Sequence, residues 1–465
     1  MSQVTAEKIS SLLRQLLGLE PSQTKKALAE YLAAIPGLDT LVDVPSGTPV
    51  LIRGDVDEKP GAEVGQGDVR LRSMVQTLKF GREKGWKQII FGHIGRDPAG
   101  SLEKVAKRIG QLLQCEVPLI SNWLDESSMT ITADAADRVA KAAAGDVIVL
   151  QNTRAYEIER VLWKAKEKDI PALTEKLAKF ANEMASKIAK IYVNEALSAG
   201  SLDASTTVVP AAMDRVALGK YVASEFHGPM LKCIEAQLVI FSGIKIDKLD
   251  DLEAMIHRGH IKKVISAGSL AMSLTKAMAQ LEGGDFSLGV SEDPAHSDKP
   301  YYIEPARIEQ AKRMLAEGKK RGIEFILPVD FTLADGSVKS KLAPGDQQFD
   351  IGPETSSLFA KKIGDFIEAS KSSATKPVVF HNGVFGMFED PRFERGTKDF
   401  VSQLQRMTQA GLNVYVGGGE GGKALEKYGK PGWVTHCFTA GGTVLNALGS
   451  EPIPYLVALK FAAGK

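Results

Sequence analysis

Four basic residues in the first half of this chain, Arg53, His93, Arg96 and Arg154, stand at one kind of place, at the end of a short apolar run. Arg53 closes Val50-Leu51-Ile52, His93 and Arg96 follow Gln88-Ile89-Ile90-Phe91, and Arg154 follows Val147-Ile148-Val149-Leu150. Guanidinium groups match the planar oxygens of carboxylate and phosphate. Bases recurring at equivalent positions therefore favour an anion site over unrelated solvated residues. Asp55 and Asp57 share the first of these places. The second half carries different chemistry after its apolar runs: Gly243 and Lys245, then Asn382, Gly383 and Glu389, then a glycine-rich turn with Glu420 inside it.

That turn, VYVGGGEGGKAL from Val414 to Leu425, matches two phosphate-binding patterns in part. A P-loop requires Ser or Thr after its lysine to place a hydroxyl on magnesium, and Ala424 follows Lys423. A dinucleotide fingerprint requires an acid about twenty residues on, and Val434 to Gly449 contains neither Asp nor Glu. The shared physics survives: a strand ends, glycines admit a close backbone approach, and a helix begins with unpaired N–H groups. Such a turn holds phosphate, and Glu420 would hold a divalent cation beside it. It also reads as a plain strand–helix connection, and these residues alone leave both open.

Short apolar runs alternating with helical patterns must position these groups, which means parallel sheets covered on both faces. In such sheets ligands sit beyond the carboxyl ends of the strands. The alternation runs through strands near 50–52, 88–91, 147–150 and 190–193, then restarts at Leu238 to Phe241, with further strands near 263–265, 324–327, 378–380 and 414–416. Between the two series, Ala217 to Ala236 reads as a helix interrupted at Gly228-Pro229, with a domain boundary near residue 222. Ahead of everything, Ile9, Leu12, Leu13, Leu16 and Leu17 share one helical face, and Leu28, Tyr31, Leu32 and Ile35 share another. The fold expected is α/β: two Rossmann-like parallel-sheet lobes joined by a hinge helix, with an extra N-terminal helical hairpin. The expected divisions are 1–36 for the hairpin, 37–222 for a substrate lobe, 223–439 for a nucleotide lobe and 440–465 for a closing segment.

With 465 residues, 44% hydrophobic and 25% charged, the chain has the composition of a globular enzyme of two large domains. A formal net charge of +1 excludes bulk attraction to nucleic acid or membrane surfaces. Cys115, Cys233 and Cys437 lie far apart, which argues against disulfides or a zinc knuckle. The apolar runs are strand-sized and the N-terminus lacks signal-peptide order, so a cytoplasmic protein is expected. His257 and His260 have Arg258 and Lys262 nearby and read as a solvated helix end.

Taken together and in order, these motifs resemble the phosphoglycerate kinase family from about Leu38 to the C-terminus. Leu51 to Asp57 is similar to that family's V-R-V-D-F-N, His93 to Arg96 to H-L-G-R, Gln151 to Arg154 to E-N-L-R, and Tyr192 to Ala196 to Y-V-N-D-A. Leu327 to Asp330 is similar to L-P-V-D, Asp350 to Pro353 to D-I-G-P, Asn382 to Glu389 to N-G-P-x-G-x-F-E, and Gly417 to Glu420 to G-G-G-D. The resemblance implies a hinge-bending kinase that moves a phosphoryl group between ATP and the carboxylate of 3-phosphoglycerate, with Mg2+. It implies substrate-side roles for Arg53, Asp55, Asp57, His93, Arg96 and Arg154, and catalytic roles for Arg70 and Lys245. Lys245, Lys248, Asn382, Glu389, Gly418, Gly419, Glu420 and Gly421 match ATP/ADP contacts, and Glu420 the metal-associated aspartate. The expected partners are a small carboxylate and an adenine nucleotide, with no nucleic acid and no membrane. The hairpin, residues 1–36, is a packing cap or a protein contact.

The departures are chemical. Where the family has H-R-A-H, whose bases hold substrate phosphate, this chain has Ser201-Leu202-Asp203-Ala204, so an acid replaces a base. Asp57 replaces an Asn. G-G-A-K-V-x-D-K becomes Ser242 to Lys248, one residue short, which puts the match of Lys248 in question. Ala267-Gly268-Ser269-Leu270 stands for G-G-G-M, and Glu420-Gly421 for Asp-Thr. Three readings follow: a divergent phosphoglycerate kinase, a kinase of a less charged carboxylate that forms an acyl phosphate, and a non-catalytic scaffold.

Overall fold

The computed structural model describes residues 3–24, 26–244, 246–449 and 452–464. They form two compact units, Met1–Gly228 with Glu451–Lys465 and Pro229–Ser450. Each unit is built on a six-stranded, all-parallel sheet, the expected α/β class.

In the first unit the strands are β1 (Pro49–Gly54), β2 (Lys87–Phe91), β3 (Leu119–Ile120), β4 (Val147–Leu150), β5 (Ile191–Glu195) and β6 (Arg215–Leu218). Their spatial order is β3-β4-β2-β1-β5-β6. Val50, Ile52, Ile90, Val149 and Val193 are buried because helices cover both faces, which is why these strands read as unbroken apolar runs. The helical stretch expected at 70–84 divides into Val69–Ser73 and Val75–Glu83, so Arg70 sits on its own short first helix.

The second unit holds β7 (Leu238–Phe241), β8 (Lys263–Ser266), β9 (Glu324–Ile326), β10 (Val378–Asn382), β11 (Asn413–Val416) and β12 (His436–Cys437). Their order, β9-β8-β7-β10-β11-β12, reverses between β7 and β10. That is the doubly wound arrangement in which a crevice opens at the carboxyl ends of the two central strands. Phe241 and Asn382, the last residues of β7 and β10, are register partners there. A small antiparallel sheet of Phe331–Leu333, Val338–Lys339 and Gln348–Ile351 is added to this unit.

The N-terminal hairpin packs on its own unit. The helix Ala6–Leu16 buries Ile9, Leu12 and Leu13, and it contacts the helices Ile170–Lys187 and Pro454–Ala463. Asn182 fastens the start of the chain: it accepts from Val4 N at 2.9 Å and donates to Val4 O at 3.0 Å. A one-turn helix, Pro21–Thr24, replaces the simple turn expected before the helix Leu28–Ala34. The helix Pro454–Ala463 is apolar nearly all round, the pattern of a buried helix, and lies against β6 and residues 204–212. The interrupted helix expected across 217–236 is β6 followed by the helix Lys220–Glu225, a π-helical turn Phe226–Met230 containing Pro229, and the helix Leu231–Cys233. Among the described residues no helix is long and apolar enough to cross a membrane.

Candidate active site

At the carboxyl ends of the first sheet, Arg53, His93 and Arg154 converge, all of them buried. Arg53 leaves β1 and donates from Nε to Ser205 Oγ at 3.1 Å and from Nη1 to Gly54 O at 2.7 Å. His93 Nδ1 lies 2.8 Å from Arg53 Nη2 and 3.1 Å from Asp203 Oδ2, so one tautomer accepts from the arginine and the other donates to the carboxylate. Burial pushes the imidazole pKa down; the Asp203 bond opposes that and the Arg53 charge adds to it, leaving the ring neutral. Arg154 donates to Gly95 O at 2.8 Å and to Asp203 Oδ2 at 3.1 Å, and its guanidinium lies 4.8 Å over the Trp163 ring. Trp163 Nε1 completes the set with a 2.7 Å bond to Asp203 Oδ1.

What these bases surround is therefore Asp203, a fully buried acid. Burial works against its charge, but the His93 bond and the Arg154 and Arg53 charges prevail and hold its pKa below the usual carboxylate range. A second acid, Glu159, lies behind Ser205 and accepts from its N–H at 2.8 Å and its hydroxyl at 2.6 Å. Burial, then repulsion by Asp203, pushes Glu159 upward. The residues expected to form an open cationic anion seat are joined, and the seat already contains a carboxylate.

A second cluster surrounds Arg70. Its guanidinium lies 3.7 Å from Asp55, 3.5 Å from Asp57 and 3.8 Å from Glu58, and it donates to Asp57 O at 3.1 Å. Asp55 is buried and accepts from Ser198 N–H and Oγ at 3.2 and 2.6 Å. Asp57 Oδ1 accepts from Gly95 N at 2.7 Å and so orients the His93–Arg96 loop. The loop before Arg70 is held by Asp68, which pairs with Arg72 at 2.9 Å and with Arg108. Arg96 stands apart. It is exposed and makes no hydrogen bond or ion pair among the described residues.

In the second unit the strand-order reversal gathers the glycines. Lys248 opens the helix Lys248–Arg258 and donates to Ser242 O at 2.8 Å. Gly243 and Gly383 have φ of 120° and 103°, left-handed values natural to glycine. A Cβ on Gly243 would lie 3.1 Å from Lys248 Nζ and 3.6 Å from Glu420 Oε2, and one on Gly383 would lie 3.2 Å from the same ammonium. The shortened segment thus still brings a lysine to the ends of β7 and β10. Gly419 (φ 75°) precedes the helix Glu420–Tyr428, so Glu420 stands at its first turn. The missing side chain of Gly417 makes room for the Asn382 amide, that of Gly418 for Phe438 O, and Gly421 approaches Gly383.

Beside this lies a cavity of about 190 Å³ lined by Gly243, Gly268, Tyr301, Phe349, Glu389 and Glu420 among others. A larger one, about 300 Å³, is lined by none of Gly243, Lys248, Asn382 or Glu420. Asp350 lines the smaller cavity; burial raises its pKa to about 7 against hydrogen bonds from Gly396 and Ile351 N–H. Asp330 accepts from Glu354 and Thr355 N–H and so anchors the helix Pro353–Ser370. Lys245 lies outside the described residues.

The bases were legible in the sequence, but not Trp163 and Ser205, which contact them, Glu159, which holds Ser205, or Ser198, which holds Asp55. These four sit in irregular segments or at helix edges and carry no periodic signal.

The phosphoglycerate kinase family model matches residues 41–451. The phosphoglycerate kinase of Clostridium beijerinckii is 28% identical over 427 residues, covering 89% of this chain and 96% of that one. The cytosolic phosphoglycerate kinase of Triticum aestivum is 28% identical over 432 residues, covering 89% and 95%. The crystal structure of phosphoglycerate kinase from Pyrococcus horikoshii superposes with a TM-score of 0.70 at 22% identity, covering 93% of this chain and 100% of that one, a likeness of fold.

Proposed function

Because the chain belongs to the phosphoglycerate kinase family, we propose that it is an ATP-dependent phosphotransferase with a carboxylate as acceptor. The observation that supports this most is the gathering of Lys248, Asn382 and Glu420 around Gly243, Gly383 and Gly417, where β7 and β10 end. An ammonium, glycine-exposed backbone and the N-terminus of a nine-residue helix suit a polyphosphate.

A carboxylate is ionised at neutral pH and needs no general base. In the transfer, its oxygen attacks the γ-phosphorus, the bond from that phosphorus to the β–γ bridging oxygen breaks, and ADP leaves with the electron pair. The product is an acyl phosphate. Fixed positive charge around the transferring oxygens is what such a reaction demands; Arg70 would supply it on the acceptor side, Lys248 and the helix N–H groups on the nucleotide side, with Lys245 assigned by resemblance. Among the described residues no group of three or more His, Cys, Asp or Glu forms a metal cage. That fits Mg2+, which is usually held by one or two carboxylates together with phosphates, and Glu420 is the residue that would hold it. Held there, Mg2+ would neutralise phosphate charge. The resemblance names 3-phosphoglycerate as acceptor.

Thermal unfolding with and without Mg·ATP tests the nucleotide half. Ligand at about a hundred times its Kd stabilises by about 2.7 kcal/mol, a rise of roughly 5–10 °C for a unit of this size. Glu420→Ala or EDTA should remove most of that rise. An unchanged transition at millimolar Mg·ATP would refute the proposal.

A further inference from the structure

We infer that the acceptor is a carboxylic acid carrying no phosphate group, because Asp203 already occupies the anion seat made by Arg53, His93 and Arg154. This rests on the reading of the chain as a carboxylate phosphotransferase and narrows its substrate.

Asp203 is no surface acid that a ligand could push aside. Its side chain has no exposure, and its two oxygens take bonds from Trp163 at 2.7 Å, His93 at 3.1 Å and Arg154 at 3.1 Å, with Arg53 3.9 Å away. Its backbone is committed as well: Asp203 O accepts from Thr206 and Thr207 N–H, both at 3.0 Å, and from both their hydroxyls. Displacing the carboxylate would break all of the side-chain bonds, and leaving it in place would set a dianionic phosphate against a buried negative charge. Arg70, meanwhile, faces three carboxylates. Arg96, exposed and apart from these clusters, has no hydrogen-bond or ion-pair partner among the described residues. It rides on a loop fixed by Asp57 and Arg154 through Gly95. One uncommitted guanidinium suits one carboxylate.

The test uses full-length protein without nucleotide, so failure of ATP binding would leave its outcome unaffected. Wild type, Asp203→Ala and Asp203→Asn are melted in rising inorganic phosphate and, separately, 3-phosphoglycerate, with chloride matching the ionic strength. The expected result is no phosphate response in wild type. In both variants the melting temperature drops and phosphate restores it, and 3-phosphoglycerate binds at least tenfold more tightly than to wild type. Should the Ala variant fail to fold, the Asn variant, which keeps the shape, carries the comparison. Wild type stabilised by either anion as strongly as the variants would overturn the inference, as would variants indifferent to both.

Discussion

At the scale of single residues, this molecule buries ionisable groups and the direction of each shift follows from what surrounds it. Glu195 ends β5 fully buried; it accepts from Thr77 Oγ1 at 2.6 Å and from Tyr221 and Val222 N–H at 3.0 and 3.3 Å, capping the helix Lys220–Glu225. Burial raises its pKa from 4.5 to about 7 despite those bonds. A carboxyl whose folded pKa is raised holds its proton longer than the unfolded chain does. Its folded form is therefore penalised progressively as pH rises from 4.5 to 7, by about 3 kcal/mol in full. Glu195→Gln should raise the melting temperature at pH 8 and change it little at pH 4.5. Parallel melting curves across that range would show that the cap, and not the charge, governs this position. The same logic explains the sequence's partial view of Arg53: its place near the end of a strand was plain, but Ser205 and Asp203, about 150 residues on, decide that it faces inward.

At the scale of elements, the strands with continuous apolar runs were legible, because a parallel strand buried on both faces announces itself by composition. β3 and β12 have two residues each, and the sheet Phe331–Leu333, Val338–Lys339, Gln348–Ile351 is partly polar, so neither gave a pattern. The glycine turn was legible as a strand–helix connection with an approachable backbone; the position of Lys248 depends on how Ser242 to Asp247 fold, which no spacing rule supplies. The N-terminal hairpin was visible as two amphipathic faces, and its apolar side is spent on the helices Ile170–Lys187 and Pro454–Ala463. Its worth is thus stability of the first unit. Leu12→Ala, at a fully buried site, should cost about 2–5 kcal/mol of it. In urea denaturation followed by tryptophan fluorescence the first unit's transition should move to lower urea, since Trp86, Trp123 and Trp163 all lie there while the second unit holds Trp433. A midpoint unchanged from wild type would mean the hairpin's contacts contribute nothing.

For the whole molecule, fold and charge point to related but separable conclusions. Two six-stranded parallel sheets and a family match over residues 41–451 fix the ancestry. The glycines, Lys248 and a carboxylate at 420, gathered at the ends of β7 and β10, support the proposed nucleotide chemistry over a purely scaffolding role. On the substrate reading inferred above, the acids Asp57 and Asp203 in the first unit would alter which acid is served. The most direct measurement is hydroxylamine trapping of acyl phosphate in the presence of Mg·ATP, run over a panel of carboxylic acids with and without a phosphate group. Wild type should yield ATP-dependent hydroxamate with matching ADP release from at least one phosphate-free acid, and Arg70→Ala should abolish it. If no acid in the panel, 3-phosphoglycerate included, gives hydroxamate above the enzyme-free background, the chain is not a carboxylate kinase.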